Sequence, residues 1–341
     1  MLRKILAFLL IIALFLPALT LAEAPEEEVY VIKKSYKMKE LIKIIEKSDA
    51  PIVELKSALS PANVQTLLET FPDKEIRYRL RVGKRTVSWD TVDVDLSHTE
   101  YKELSTLTDA LDLLPSAKTV TSWGRVFTAE ELDYLYETYP HIEKIHCKVK
   151  MANHALRTDL TAFCTKHASY TENRYDEEDF AALRYHDDLL GLDIGHNSAK
   201  NLDFLYDLPK LKVLIVADND ITDITPIGYQ NELQYLELIN NEITDLSPLT
   251  NCTELIDLHI GKCNVSDITP LLSLTKLERL WLGGNPISEE DLARLQEALP
   301  NCQINSTAID HPTAEGWRQG HPRYLIIAEM FKNNKYIPFE E

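Results

Sequence analysis

Apolar positions in the second half of the chain recur with a period of 22 residues. Each unit opens on a leucine: Leu189, Leu211, Leu233, Leu255 and Leu277. Its fourth position holds Leu192, Leu214, Leu236, Leu258 and Leu280, and its sixth Ile194, Val216, Leu238, Ile260 and Leu282. Its ninth holds Asn197, Asn219, Asn241, Cys263 and Asn285. Apolar residues two apart predict a short strand with both side chains on one face. The asparagine amide can turn inward and bond the backbone of neighbouring coils where the chain bends. Cys263 fits the same slot because a thiol is small and tolerates burial. Farther on, Ile221-Thr-Asp-Ile-Thr-Pro226, Ile243-Thr-Asp-Leu-Ser-Pro248 and Val265-Ser-Asp-Ile-Thr-Pro270 fill the core from the other side, and each proline fixes the return segment. No unit of this size buries its apolar face alone, so the units must stack on one shared core.

The pattern predicts an α/β fold, a curved leucine-rich-repeat solenoid with a parallel sheet on its concave side over residues 189–304. The unit Leu233 to Leu249 resembles the internalin-type repeats of bacterial surface proteins. The wider chain is similar to secreted leucine-rich-repeat proteins of Gram-positive bacteria, in Leu189-Leu-Gly-Leu-Asp-Ile-Gly-His-Asn197, Leu299-Pro-Asn-Cys-Gln303 and Gly316-Trp-Arg318 followed by His321-Pro. The resemblance implies an exported, protein-binding solenoid and names no partner. Neither an immunoglobulin-like module nor a wall-sorting signal is visible after the repeats, so an invasin role is not carried over.

The first half repeats a looser grammar, a helical run ending in proline and then an extended run. It occurs at Leu67–Pro72, Ala110–Pro115 and Leu135–Pro140, and again at Leu295–Pro300. Ser60-Pro61 places a capping hydroxyl before a first-turn proline, Thr128-Ala-Glu-Glu131 is a capping box, and Ser288 with Asp291 is a close variant. Residues 23–150 are expected to form irregular helix–strand units that continue the same sheet; a separate small α/β domain is the alternative. Residues 151–188 are expected to be an inserted loop, without clear period to about 176, then a short helix. Residues 305–341 are expected to cap the exposed core of the last coil.

Strand positions that alternate with the buried leucines face outward. In the last three units they are Tyr235, Glu237, Asp257, His259, Arg279 and Trp281, a contiguous patch beside small residues such as Gly261 and Gly283. Tyr, Trp and Arg dominate binding hot spots, which makes this patch the candidate site for a protein or peptide. The competing reading is a solvated face with Asp257–Arg279 as a weak surface pair. Catalysis and metal binding are not expected. Glu237, Asp257 and His259 have no enclosing shell on an exposed sheet, and His141 and His146 straddle a strand start without a helical zinc motif. Asp93 and Asp95 alternate on the wet side of a strand. There is no phosphate loop, nucleophile elbow or cofactor motif.

Composition narrows the choice further. The 341 residues are 45% hydrophobic and 26% charged, as in ordinary globular proteins. Formal charge is −18, a sign that repels nucleic acid and anionic lipid. Met-Leu-Arg-Lys, the apolar run Ile5 to Leu16 and the ending Pro17-Ala-Leu-Thr-Leu-Ala22 read as a secretory signal over residues 1–22. An uncleaved anchor is the alternative, since the apolar run is near the lower limit for a span. Cleavage after Ala22 leaves a secreted or envelope-associated protein, expected to be monomeric and without cofactor or membrane insertion. The cysteines, Cys147, Cys164, Cys252, Cys263 and Cys302, are odd in number and cannot all pair; Cys147 with Cys164 is the one pairing the spacing entertains. Two readings compete with partner binding: an envelope spacer without a high-affinity ligand, and a wall- or polysaccharide-acting hydrolase.

Overall fold

A computed structural model of the chain describes residues 28–165, 174–307 and 316–339. The expected signal segment lies outside the described residues. The chain divides into two compact units, one running to Asp90 and including Asp112–Leu114, the other comprising Thr91–Leu111 and the chain from Pro115.

The first unit contains β1 (Val29–Ile32), α1 (Met38–Glu46), β2 (Ile52–Leu59), α2 (Pro61–Thr70), β3 (Glu75–Val82) and β4 (Arg85–Ser88). The strands form one sheet in the order β1-β2-β3-β4. Strand β3 alternates: Ile76, Tyr78, Leu80 and Val82 are buried, while Glu75, Arg79 and Arg81 are exposed and Arg77 is half-buried. Helix α2 packs on β3 and buries Val64 and Leu67. The Tyr78 hydroxyl donates to the Leu113 carbonyl at 2.8 Å, which satisfies a buried phenol.

The second unit opens with the same plan: β5 (Asp93–Asp95), α3 (Ser105–Leu111), β6 (Thr119–Phe127), α4 (Ala129–Thr138), β7 (Lys144–Met151) and β8 (His154–Arg157). Its sheet runs β5-β6-β7-β8. In both sheets the first three strands are parallel and the last closes an antiparallel hairpin. Both second strands break register against the third, between Glu54 and Ala58 and between Ser122 and Val126. Both hairpins turn on a left-handed residue, Gly83 (φ 56°) and Ala152 (φ 47°). Glu69-Thr-Phe-Pro72 precedes one third strand and Glu137-Thr-Tyr-Pro140 the other. The chain thus builds one module twice.

The modules do not continue the sheet of the regular coils, contrary to expectation. Each ends in its own hairpin, whose antiparallel strand occupies the edge where a further parallel strand would have paired. The stretch expected to be an inserted loop instead supplies β8 and β9 (Ala162–Cys164), the latter being the first strand of a third, seven-stranded sheet. Residues 166–173 of that stretch lie outside the described residues.

Helix boundaries follow local chemistry. Ser60 Oγ accepts from the Asn63 N–H at 3.3 Å, and Thr128 with Glu131 forms a reciprocal capping box. Phe71 and Tyr139, which follow α2 and α4, precede prolines and leave helical geometry at nearly the same angles (φ −127°, ψ 62° and φ −120°, ψ 65°). A following proline ring clashes with the helical conformation of the residue before it.

After α5 (Glu177–Phe180) come five coils with β10 (Gly191–Asp193), β11 (Val213–Ile215), β12 (Tyr235–Glu237), β13 (Asp257–His259) and β14 (Arg279–Trp281). They are followed by α6 (Glu289–Ala298), β15 (Gln303–Asn305) and α7 (Pro322–Asn333). Register is unbroken: Phe163, Leu192, Leu214, Leu236, Leu258, Leu280 and Ile304 stand side by side across the parallel sheet. Thr225–Tyr229, Ser247–Asn251 and Thr269–Ser273 form 3-10 turns with proline in the first turn. Their backbones are capped by Asp223, Asp245 and Asp267, whose Oδ1 atoms accept from residues 225, 247 and 269 at 2.8–2.9 Å.

The asparagine ladder has both halves of the predicted chemistry. Asn241 Nδ2 donates to the Val216 and Leu238 carbonyls at 3.0 and 2.8 Å, while its Oδ1 accepts from the Ile221 N–H at 3.0 Å. Asn219 and Asn285 repeat the pattern, and Asn197 Oδ1 accepts from the Tyr175 N–H. Cys263 keeps the donor half, its Sγ reaching the Leu238 carbonyl at 3.1 Å. It offers no carbonyl oxygen to the Ile243 N–H, the group matching Ile221. One position earlier, His196, Asp218, Asn240, Lys262 and Gly284 are all left-handed (φ 53° to 76°), turning the chain out of each strand.

Candidate functional site

The parallel register brings all six candidate residues together. Tyr235, Asp257 and Arg279 stand in one row; Glu237, His259 and Trp281 stand in the next. They are not exposed. None exceeds 5% accessibility, because residues 316–339 lie across this face. The expectation of a terminal cap is corrected by the same observation. Helix α7 meets β9 and β10, and the segment covers the outer face of the sheet instead of the end of the last coil. The cause is complementarity: the face carries two carboxylates among aromatics, and the segment carries arginines beside an indole.

Trp317 is fully buried, within 5.1–5.6 Å of the Tyr235, His259 and Trp281 rings, with the Arg279 guanidinium 4.3 Å from its own ring centre. Its Nε1 donates to Glu237 Oε1 at 2.7 Å. Glu237 also accepts from the Tyr235 hydroxyl and from Arg318, whose Nε lies 3.1 Å from both carboxylate oxygens and whose second nitrogen completes a fork. Burial by itself would raise the Glu237 pKa; the Arg318 charge and the donated hydrogen bonds outweigh it and hold the carboxyl below its usual range. Burial, with the Glu237 charge next, pushes the Tyr235 phenol well up, so it stays a neutral donor.

The second carboxylate is held similarly. Arg279 grips Asp257 through two bonds of 2.9 and 2.6 Å, and Arg323 adds a third at 2.7 Å. Arg279 also donates to the Trp317 carbonyl at 3.0 Å. The expected weak surface pair is therefore a buried, desolvated one. Forked guanidinium–carboxylate contacts in a dry site are among the stronger polar interactions.

Farther along, Ile327, Met330 and Phe331 pack on Ala162, Val213 and Ile215. The glycine that opens the outward row matters here. A β-carbon on Gly191 would lie 2.7 Å from Met330 Sδ. The segment is tied down again where the Tyr336 N–H donates to Thr161 Oγ1 at 2.8 Å.

The sequence groups the six residues as an exposed patch; the structure sets them side by side but buried, under Trp317, Arg318 and Arg323, which the sequence analysis missed. The signal was present: Gly316-Trp-Arg318 and Arg323 carry the charges and the indole that Glu237 and Asp257 require. Among the described residues no group of three His, Cys, Asp or Glu is placed to hold a metal ion, and no helix is long and apolar enough to cross a membrane. Asp93 and Asp95 lie exposed on β5, Asp93 accepting from Thr119 Oγ1. No disulfide joins Cys147 to Cys164. Burial drives the Cys147 thiol up to about 12, while Cys164 donates to Asp193 at 3.4 Å.

Coils in a leucine register, an inward asparagine ladder and a parallel sheet support a fold of the leucine-rich-repeat type. Among solved structures the chain is similar to internalin C2 of Listeria monocytogenes, at 28% identity over 47% of this chain and 80% of that one, with a TM-score of 0.35. A second internalin of that organism is 17% identical over 77% of this chain and 68% of its own, with a TM-score of 0.32. A leucine-rich-repeat protein of Leptospira interrogans is 16% identical over 77% and 74%, with a TM-score of 0.34. No family model matches the chain, and no curated relative does.

Proposed function

We propose that the chain is an exported, non-catalytic leucine-rich-repeat protein that binds a protein or peptide through the concave face bearing Tyr235, Glu237, Asp257, His259, Arg279 and Trp281. In this reading residues 316–339 hold that face closed. The observation that carries it is the manner of closure. An indole in an aromatic box and two guanidiniums on two buried carboxylates are how a peptide ligand is anchored, through Trp and Arg. The preferred partner is therefore a segment that offers an aromatic residue next to arginine. Such a partner competes with a tethered one, and its apparent affinity falls in proportion to the fraction of molecules that are open. The signal-like pattern of residues 1–22 supports export.

Burial of all six residues also favours a second reading, in which the closed face is purely structural and the repeats serve as a spacer. Pull-downs from surface or culture extracts separate the two. The double variant W317A/R318A, checked for retained secondary structure, is expected to capture a saturable partner at least about tenfold better than the parent chain. Adding Y235A/W281A is expected to abolish capture. If opening the segment captures nothing, the spacer reading stands and concave-face binding falls.

A further inference from the structure

The twin modules show a second surface, independent of the coils. The outward row of β3 is Arg77, Arg79 and Arg81; the matching row of β7 is His146, Lys148 and Lys150. Two sequences that share few side chains thus keep one basic row on the same strand. From Lys74 to Arg85 six basic residues stand against one acid, in a chain whose net charge is −18.

In the second module this charge is largely engaged. Lys144 pairs with Asp187, His146 and Lys148 are half-buried, and Arg157 lies 4.1 Å over the Trp123 ring while bonded to Asp159. In the first module it is open at two positions. Arg79 and Arg81 are exposed, and neither forms an ion pair among the described residues. A depression of about 180 Å³ opens where β2 breaks register, lined by Glu54, Lys56, Arg77, Arg79, Ser88 and Trp89. Lys56 is paired with Glu54, and Arg77 with Glu75.

We infer that this face of the first module binds an extended acidic peptide segment with carboxylates at alternate positions. Alternate residues on a strand lie about 6.6–6.8 Å apart, so Arg77, Arg79 and Arg81 form a row of cations at that interval. An extended peptide repeats its own alternate side chains at the same interval and can set one carboxylate against each of Arg79 and Arg81, with Arg77, already paired with Glu75, at the end of the row. A helix, rising about 5.4 Å per turn, falls out of step. Guanidinium and carboxylate match as planar forks. The half-exposed Trp89 indole, beside Lys56 and Arg79, gives an apolar residue of that peptide a platform. Long phosphate polymers fit less well, because they must approach the whole acidic molecule, whereas a short segment meets mainly the local positive field.

The test uses the full chain and fluorescence anisotropy of a labelled synthetic peptide with glutamates at alternate positions. Saturable binding is expected, weakening as NaCl rises from about 50 to about 200 mM. R79E/R81E should bind about tenfold more weakly with an unchanged melting curve, and W89A a few-fold more weakly. Unchanged binding by R79E/R81E overturns the proposal. So does equal binding of a peptide with the same glutamates in one contiguous block, which shows charge without register. Tighter binding of inorganic polyphosphate than of the peptide overturns it in favour of a polymer site. W317A/R318A should leave this binding intact, so its outcome is separate from that of the coil face.

Discussion

The regular coils and the twin modules both lay parallel strands over buried apolar side chains, yet they treat the opposite faces of their sheets differently. The seven-stranded sheet turns three acids, Asp193, Glu237 and Asp257, and three aromatics outward, and the chain folds residues 316–339 over this face. The first module turns arginines outward and leaves them wet. Desolvation explains the contrast. Aromatic rings gain by burial, and carboxylates among them then require forked guanidinium partners. A row of arginines on one strand repels itself and is best left in water unless an acid is supplied. Composition of the outward rows, more than strand geometry, decides which face closes.

Arg318→Ala should break that contrast most severely. It leaves Glu237 buried without its guanidinium and is expected to cost about 3–5 kcal/mol in urea unfolding. Arg79→Ala, on the open face, should shift the same midpoint by less than about 0.5 kcal/mol. Similar losses at both positions would show that the two faces are not different in kind.

His186, just before the first regular coil, tests the region between module and coils. Burial lowers its pKa to about 4 from an ordinary 6.5. Below pH 6.5 the unfolded chain takes up a proton that the folded one refuses, so stability is lost as pH falls and the loss is complete near pH 4. It reaches about 3 kcal/mol. Denaturant midpoints at pH 7 and pH 4.5 should converge in His186→Phe; unchanged pH dependence would mean that other groups carry it.

The smallest effect sharpens the regularity of the coils themselves. Cys263→Asn supplies the side-chain carbonyl oxygen that the thiol does not offer to the Ile243 N–H and should add about 1 kcal/mol. A destabilised variant would show that the thiol's packing outweighs the missing hydrogen bond.

The coils were legible because each unit repeats the same constraint at the same spacing. Leu214, Leu236 and Leu258 fall in register, and Asn219 and Asn241 do one job. Helix ends at Phe71 and Tyr139 were legible because proline acts on its immediate neighbour. The module duplication was not. Tyr78 stands where the other copy has Cys147, and Gly83 where it has Ala152, so burial and backbone angle match while identity does not. Exposure of the Tyr235–Trp281 patch was also beyond a local reading. Alternation shows that a side chain leaves the leucine core; it cannot show that a segment far along the chain arrives to cover it.

That separation has a consequence for biosynthesis. Arg318 follows Glu237 by 81 residues, which at about 5–20 residues per second of synthesis is a delay of roughly 4–16 s. During that interval the nascent sheet presents rings and unneutralised acids to whatever surrounds it. A product terminated early keeps that adhesive surface permanently. Only a polypeptide extended through residues 316–339 can hide it, so that segment ends the exposure of the face.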